Sequence, residues 1–185
     1  MALVDVLKER STWTYNMMGY SAELGEMIRE DALTSVNISM IQYESTNQGL
    51  GLSTTSLQGS NLEKEFGGDW IWNYNNKTFV IQAKRLDAIK KAGLVSYKID
   101  IPQLQTLIEA TAGPSFSGTN AEAYYVFYNT YLPGNPEDLG CIMIEADSLW
   151  RAIAGSGKGG QATVTMKPEH LQQLGAKSWW IYFSN

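Results

Sequence analysis

The sequence contains one cysteine, Cys141, and one histidine, His170. A single cysteine excludes a disulfide within the chain and is typical of proteins in a reducing compartment. This scarcity also excludes a zinc site of cysteine and histidine ligands, and it disfavours catalytic sites that need several histidines. Any metal site must therefore be built from oxygen ligands, which favours Mg²⁺ or Mn²⁺.

Long apolar runs are missing as well. No stretch approaches the roughly 20 apolar residues that span a bilayer, and residues 1–11 mix acidic and basic side chains without the apolar segment of a signal peptide. Hydrophobic residues still make up 44% of the 185 positions, which is enough to fill the core of one domain. We expect a single soluble domain over residues 1–185 that is cytoplasmic and does not bind a membrane.

Positive charge is scarce overall, because the formal net charge is -5. A protein that binds nucleic acid is usually basic. Residues 84–98 depart from this acidic balance. Asp87 is the single acid in this segment, which has five basic residues: Lys84, Arg85, Lys90, Lys91 and Lys98. A solvated loop or helix face explains such a run; a surface that contacts phosphates is the alternative, in which Arg85, Lys90, Lys91 and Lys98 bind nucleic acid.

The order of predicted elements indicates an α/β protein. Helices are predicted at residues 11–35, 102–112, 147–154 and 168–174. Strands are predicted at residues 37–43, 69–74, 78–85, 122–131, 141–145, 162–166 and 178–183. Residues 45–60 are predicted to form a long loop. This order predicts a central mixed β-sheet flanked by helices, with a core over residues 10–131 and a small C-terminal α/β extension over residues 140–185.

Polar residues are predicted to converge at one end of the hairpin over residues 69–85. Side chains alternate along a strand, so Gln82 and Lys84 share one face. A turn at Asn75-Asn76 would bring Asp69 back beside them. Gly67-Gly68 precede Asp69, and their lack of side chains is expected to leave room for a bulky ligand.

These residue types suit hydrolysis of a phosphodiester. Asp69, the Gln82 side-chain carbonyl and the Ala83 main-chain carbonyl could hold a divalent cation, and Lys84 could orient water or neutralise transition-state charge. Another carboxylate is expected from the first helix, with Glu26 preferred and Glu23 or Glu30 as alternatives.

Two alternatives to a catalytic site stay open at this point. The spacing of Asp69, Gln82 and Lys84 occurs by chance in many chains, and a lysine can protect an edge strand. The surrounding run F-V-I-Q-A-K favours a site, because polar groups on a core strand are unfavourable unless they are paired or functional.

The runs GGDWIW and FVIQAKRL, after a helix that carries Gly25-Glu26, resemble the PD-(D/E)XK, or restriction-endonuclease-like, nuclease superfamily. The Q-A-K form is similar to the Gln-x-Lys variant of Mrr-type restriction enzymes. More closely, residues 10–130 resemble a prokaryotic family within the superfamily through five elements in order: Gly25-Glu26, residues 67–70, residues 82–86, Gln103 with Leu107-Ile108, and residues 125–129.

The resemblance implies a restriction-endonuclease-like fold and Mg²⁺- or Mn²⁺-dependent cleavage of nucleic acid, with DNA as the expected substrate. It carries over Glu26, Asp69, Gln82 and Lys84 as active-site residues, with Gln103 as an auxiliary residue. It also implies a homodimer or a larger protein partner, and a role in defence against foreign DNA or in mobile-element biology. The chain departs from the usual pattern at Gln82, where the superfamily commonly has an acid, and this removes one negative charge from the metal site.

A second function remains open beside the enzyme. The same fold could bind nucleic acid or a protein partner with weak or absent catalysis. Gln82, the acidic balance and the single well-defined metal carboxylate, Asp69, support this alternative. For a third class, a regulator that acts on another protein, the sequence offers no indication.

Overall fold

The computed structural model describes residues 1–89 and 94–184 of the chain. The α-helices are α1 Leu3–Glu23, α2 Glu30–Gln48, α3 Asn61–Phe66, α4 Ile101–Ala112, α5 Pro136–Leu139, α6 Ala146–Gly155 and α7 Pro168–Gln173. The β-strands are β1 Ser53–Ser56, β2 Trp70–Tyr74, β3 Lys77–Arg85, β4 Asp87–Ile89, β5 Leu94–Asp100, β6 Ala121–Tyr128, β7 Cys141–Glu145, β8 Thr163–Met166 and β9 Lys177–Ser178. Short 3₁₀ helices cover Pro114–Phe116 and Trp179–Phe183.

A six-stranded sheet with the order β1-β2-β3-β6-β7-β9 forms the centre of the molecule. Strands β3 and β6 pair in parallel, and the other neighbours pair antiparallel. Helices lie on both faces, because Thr34 of α2 bonds to Tyr128 on one face and Gln103 of α4 bonds to Gln82 on the other. The predicted α/β class, with a central mixed sheet flanked by helices, is confirmed.

A smaller antiparallel sheet with the order β4-β5-β8 leads directly into α4. Asp100 ends β5 and caps α4, since its carboxylate accepts a hydrogen bond of 2.8 Å from the main-chain N–H of Gln103. Pro102 suits the first turn of α4, where a main-chain donor is not needed. These features fix Gln103 in the first turn of a helix that packs on the central sheet.

The hairpin of β2 and β3 has the predicted strands and turn. Asn75 and Asn76 both have positive φ, 48° and 60°, as a two-residue type I′ turn requires. Tyr74 pairs with Lys77 across the turn, and Trp70 pairs with Ile81 at the far end. This register places the start of β2 beside the middle of β3.

The N-terminal half differs from the prediction. The helix predicted over residues 11–35 is two helices, separated by a turn in which Gly25 has a φ of +82°. The strand predicted over residues 37–43 is wrong, because these residues lie inside α2. Asn37, Ile38 and Ile41 are buried there at helical spacing. The loop predicted over residues 45–60 contains the end of α2 and the strand β1.

The C-terminal residues are integrated into the sheets. Strands β7 and β9 belong to the central sheet and β8 to the smaller one. The strand predicted over residues 178–183 is wrong beyond its first residue, because residues 179–183 form a 3₁₀ helix. Its Trp179 and Phe183 rings pack on Trp72 of β2, each with its centroid 5.6 Å away. The boundary between a core and an extension stays a prediction.

Cys141 begins β7 and has no exposed surface. Its main-chain N–H donates a 2.9 Å hydrogen bond to Ser11 Oγ in α1. Burial raises the pKa of the Cys141 thiol to about 12. The lone cysteine is therefore a packing residue in this fold. Within the described ranges, no helix has the length and apolar character needed to cross a membrane.

Candidate active site

Asp69 lies directly before β2 and is held in place by its neighbours. Gly67 ends α3 with a φ of +67°, and the main-chain N–H of Asp69 donates a 2.7 Å hydrogen bond to Ile81 of β3. The side chain is 6% exposed, and its Oδ2 accepts a 2.7 Å hydrogen bond from the main-chain N–H of Ala83. Burial raises the pKa of Asp69 to about 7; the Ala83 bond opposes the rise and the charge of Glu30 adds to it.

Gln82 and Lys84 project from β3 on one face, as their spacing predicts. Gln82 Nε2 donates to Asp69 Oδ2 at 2.8 Å and to the Ala83 carbonyl at 2.9 Å. Gln103 of α4 bridges the two β3 side chains: its Nε2 donates to Gln82 Oε1 at 2.8 Å, and its Oε1 accepts from Lys84 Nζ at 3.0 Å. The structure thus brings Asp69, Gln82, Lys84 and Gln103 into one hydrogen-bonded group.

The carboxylate that joins this group from the helices is Glu30. It begins α2, its Oε2 accepts a 2.6 Å hydrogen bond from the main-chain N–H of Arg85, and its Oε1 lies 3.7 Å from Lys84 Nζ. Burial raises the pKa of Glu30, and the nearby charge of Lys84 opposes the rise.

Glu26, the carboxylate preferred from the sequence, lies elsewhere. It is exposed in the connection between α1 and α2, and it is not among the described residues that line the pocket around Asp69. Glu23 is also exposed, at the end of α1. The expectation that Glu26 sits beside Asp69 is therefore corrected. The three candidate glutamates do not lie on one helix, because α1 ends at Glu23 and Glu30 begins α2.

An open cavity of about 690 Å³ gives access to the group. Asp69, Gln82, Lys84, Gln103 and Glu30 contribute to its walls, together with the residues Arg29, Asp31, Ala32, Ser35, Gln58, Gly59 and Glu63. A second cavity of about 630 Å³ shares Glu30 and Lys84 with it. The two cavities adjoin at the start of α2, where Arg29 and Asp31 also line both, and together they are called the groove.

The basic residues that were predicted to bind nucleic acid are not all found at one place. Arg85 and the exposed Lys98 line the second cavity. The Arg85 guanidinium also donates to the Ile28 carbonyl at 3.0 Å and to Asp87 at 2.9 Å. Lys90 and Lys91 lie outside the described residues. Acidic side chains, among them Asp87, line the same groove, so its charge is mixed.

Gly67 and Gly68 do not provide the open space expected of them. A Cβ on Gly67 would lie 2.8 Å from the main-chain oxygen of Gln103 and 2.9 Å from the main-chain nitrogen of Leu107. A Cβ on Gly68 would lie 3.2 Å from the Ile81 carbonyl oxygen. The expectation of room for a bulky ligand is wrong, because these glycines let α4 approach the hairpin closely.

The oxygen atoms around Asp69 are of the kind that bind a hard cation. Asp69, the Ala83 carbonyl and the amide oxygen of Gln82 form a possible set, and water would fill the other positions. In the ranges 1–89 and 94–184, no three Asp, Glu, His or Cys side chains are grouped as a metal site. The amide oxygen of Gln82 faces Gln103, and its nitrogen faces Asp69.

Tyr125 lies next to Gln82 beneath the site, and a role for it was not expected from the sequence. It pairs with Gln82 in the β3–β6 register, so both side chains lie on one face of the sheet. It is wholly buried, and its hydroxyl has no hydrogen-bond partner among the residues described. Burial raises the pKa of Tyr125, and the charges of Asp100, Asp69 and Glu30 add to the rise. In the sequence, only an apolar environment could be inferred for this strand of tyrosines.

The fold and the site together define a mixed α/β domain with a buried polar group that opens into a groove. The chain belongs to the family described as "Family of unknown function (DUF6615)", whose profile matches residues 3–179. No curated protein matches the sequence. Among solved structures the chain is similar to that of Hjc from Archaeoglobus fulgidus, a Holliday junction resolvase from an archaeal hyperthermophile. That likeness has 10% sequence identity and a TM-score of 0.49, and covers 78% of this chain and 94% of that chain.

Proposed function

We propose that this chain is a divalent-cation-dependent nuclease that hydrolyses phosphodiester bonds of nucleic acid, with DNA as its substrate. The observation that carries the proposal is the convergence of Asp69, Gln82, Lys84 and Glu30 on one open cavity. A carboxylate, an amide and an ammonium group would each be unfavourable inside an apolar core without such a role or mutual pairing.

The proposed roles follow from the position of each group. Asp69, the Gln82 amide oxygen and the Ala83 carbonyl would hold Mg²⁺ or Mn²⁺. When bound, the cation supplies positive charge to a phosphate oxygen and lowers the pKa of water. Lys84 stabilises the added negative charge of the transition state. Its side chain is 15% exposed, which limits the screening of its charge by solvent.

Glu30 would supply the additional carboxylate that was first expected from Glu26. Its carboxylate lies beside Lys84 and lines both cavities, so it can accept a proton from the attacking water or hold that water in place. As the water oxygen bonds to phosphorus, its proton passes to Glu30, one P–O ester bond breaks, and the leaving oxygen takes a proton from solvent water. Its raised pKa makes Glu30 a stronger base than an exposed glutamate.

Contacts to the nucleic-acid backbone are proposed for Arg85, Lys90, Lys91 and Lys98. Arg85 and Lys98 support this by lining the second cavity. Pairing of two copies, a larger protein partner, a cytoplasmic location and a role in defence or mobile-element biology belong to the same proposal.

The decisive experiment is a cleavage assay with matched variants. Supercoiled, linear and single-stranded DNA and RNA are incubated with the protein and Mg²⁺ or Mn²⁺. We expect cleavage that Asp69→Ala and Lys84→Ala each reduce by at least about 100-fold. Asp147→Ala and Lys158→Ala, at exposed positions away from the groove, serve as controls of the same kind and should keep full activity.

A binding module is the second candidate, and the orientation of Gln82 favours it. The amide nitrogen of Gln82, not its oxygen, faces Asp69, so the carboxylate is satisfied without a cation. Binding of nucleic acid that is independent of metal, with no cleavage by the wild-type protein in any of the mixtures, would support the module and contradict the enzyme.

A further inference from the structure

A chain of amide hydrogen bonds connects Asp69 to Lys84, and all of its bonds run in the same direction. Lys84 Nζ donates to Gln103 Oε1 at 3.0 Å, Gln103 Nε2 donates to Gln82 Oε1 at 2.8 Å, and Gln82 Nε2 donates to Asp69 Oδ2 at 2.8 Å. Each amide has one donor end and one acceptor end. The orientation of one amide therefore determines the orientation of the next.

The Gln82 amide nitrogen occupies the place that a cation would need. It donates to both Asp69 Oδ2 and the Ala83 carbonyl, the two oxygens proposed as ligands. A divalent cation is bound by oxygen and not by an amide N–H group. For Gln82 to serve as a ligand, its amide must turn so that Oε1 faces Asp69.

Turning Gln82 has a consequence at the other end of the chain. With Gln82 reversed, its Nε2 meets Gln103 Nε2, and two donors cannot bond to each other. Gln103 must then reverse as well, and its Nε2 faces Lys84. An ammonium group has three donors and no acceptor, so the bond between Gln103 and Lys84 is lost.

We propose that Gln103 is a positioning residue that couples cation binding at Asp69 to the release of Lys84 from its hydrogen bond to the helix. The inference rests on the proposed nuclease function and adds an order of events to it. Lys84 is held by Gln103 while Asp69 is satisfied by Gln82, and it becomes free to meet a phosphate only after both amides have turned. Its other neighbour, Glu30, lies at 3.7 Å and keeps it at the groove.

The coupling predicts an unusual effect of removing Gln103. Because cation binding must break the bond between Gln103 and Lys84, Gln103→Met should bind Mn²⁺ about three- to tenfold more tightly than the wild type. Methionine matches the length of glutamine and leaves the net charge unchanged. Gln105→Met, in the same helix but not among the described residues that line the groove, is the matched control and should bind as the wild type does.

Two measurements on the purified protein test this without an activity assay. Mn²⁺ affinity is measured by calorimetry for the wild type, Gln103→Met, Gln105→Met and Asp69→Asn. In parallel, Mg²⁺ is titrated into ¹⁵N-labelled wild-type protein while the side-chain NH₂ signals of Gln82 and Gln103 are followed by NMR. We expect both signals to shift with one midpoint, and Asp69→Asn to abolish the shifts.

The outcomes separate the inference from the function on which it rests. Unchanged or weaker Mn²⁺ binding by Gln103→Met would show that Gln103 only supports Gln82, and would overturn the coupling while leaving the nuclease proposal intact. A Gln103 amide signal that stays fixed while Gln82 shifts would do the same, even if the variant failed to fold. Absence of any cation binding that depends on Asp69 would overturn both.

Discussion

Asp69 is a carboxyl group that folding keeps closer to neutral than an exposed aspartate. Its pKa of about 7 arises first from burial, and one main-chain N–H from Ala83 offsets only part of that effect. The folded-state pKa lies above the ordinary value of 3.8, so folding favours the protonated form. The contribution of Asp69 to stability is therefore fully present below about pH 4 and is lost as the pH rises through 7.

Because the stability contribution of Asp69 falls as the pH rises, the effect of Asp69→Asn on stability should depend on pH. Asparagine keeps an oxygen that can accept from Ala83 and Gln82 but carries no charge. Without metal, the variant should become more stable than the wild type as the pH rises, by on the order of 2–4 kcal/mol at pH 8. Urea unfolding in EDTA at pH 4.5, 6 and 8 measures the difference. A difference that is constant across this range would contradict the raised pKa.

Tyr125 and Tyr128 provide a matched pair of buried hydroxyls on one strand. The hydroxyl of Tyr128 forms a 3.0 Å hydrogen bond with Thr34, whereas that of Tyr125 has no partner in the described part of the chain. Tyr128→Phe should destabilise the fold by about 1–2 kcal/mol, and Tyr125→Phe should be neutral or stabilising by up to about 1 kcal/mol. Chemical denaturation of both variants tests this, and equal losses of stability would contradict it.

At the scale of elements, the position of α4 against the hairpin determines the geometry of the site. Gly67 permits this approach, because a side chain there would meet the backbone of α4 within 3 Å. Gln103 is in the first turn of that helix, so any displacement of α4 moves the amide that contacts Gln82 and Lys84. The close packing of two backbones is thus part of the site.

A comparison of two glycine variants separates packing from backbone strain. Gly67 and Gly157 have similar positive φ values, 67° and 76°, but a Cβ on Gly157 would meet nothing within 4 Å. Gly157→Ala should cost about 1 kcal/mol through strain alone, and Gly67→Ala should cost about 2 kcal/mol more. Thermal unfolding of both variants measures this. Equal losses of stability would show that α4 can shift away from the added Cβ at little cost in free energy.

The sequence predicts elements whose signals are local. The β2–β3 hairpin has two asparagines that tolerate positive φ and strands with alternating side chains, and both signals lie within the 16 residues from Trp70 to Arg85. The pairing of α1 with α2 has no comparable signal, because buried polar side chains contribute to the contact between the two helices. Arg10 bonds to Asn37 at 3.1 Å, and Asn37 bonds to Thr14 at 2.8 Å. A search for an apolar helical stripe cannot detect such an interface.

The difference between contacts with a local sequence signal and contacts without one also applies to the candidate site. Asp69, Gln82 and Lys84 meet through one hairpin, so their proximity follows from strand alternation and a turn. The choice among Glu23, Glu26 and Glu30 depends on where the helix ends, and that end is set by a single turn at Gly25. Tyr125 lies beside Gln82 through a parallel pairing across about 40 residues of chain, which no local pattern specifies.

On the scale of the whole molecule, the C-terminal quarter completes the core. Strand β7 pairs with β6, and Trp179 donates a 2.9 Å hydrogen bond from Nε1 to the Leu7 carbonyl in α1. Phe183 stacks near Phe79 of β3, with centroids 4.9 Å apart. The strands that carry the site therefore depend on residues distant from them in sequence.

A truncated chain tests this dependence. A protein that ends at residue 131 loses β7, β8 and β9, and should be unfolded or aggregated under conditions in which the full chain is native. A chain that ends at Phe183 keeps all the strands from β1 to β9 and should fold normally. Circular dichroism and the dispersion of amide NMR signals distinguish these states; a well-dispersed spectrum from residues 1–131 would establish an autonomous core.

The burial of Cys141 has a practical consequence for spectroscopy. Because this thiol is enclosed within β7, a cysteine introduced on the surface would be the single site open to a maleimide dye or a spin label. Paired labels at Ser35, beside the groove, and at Lys158, in the distant loop after α6, would allow fluorescence transfer or dipolar spectroscopy on an otherwise native background. Movement of α2 relative to the end of α6 could then be followed without first removing a natural cysteine.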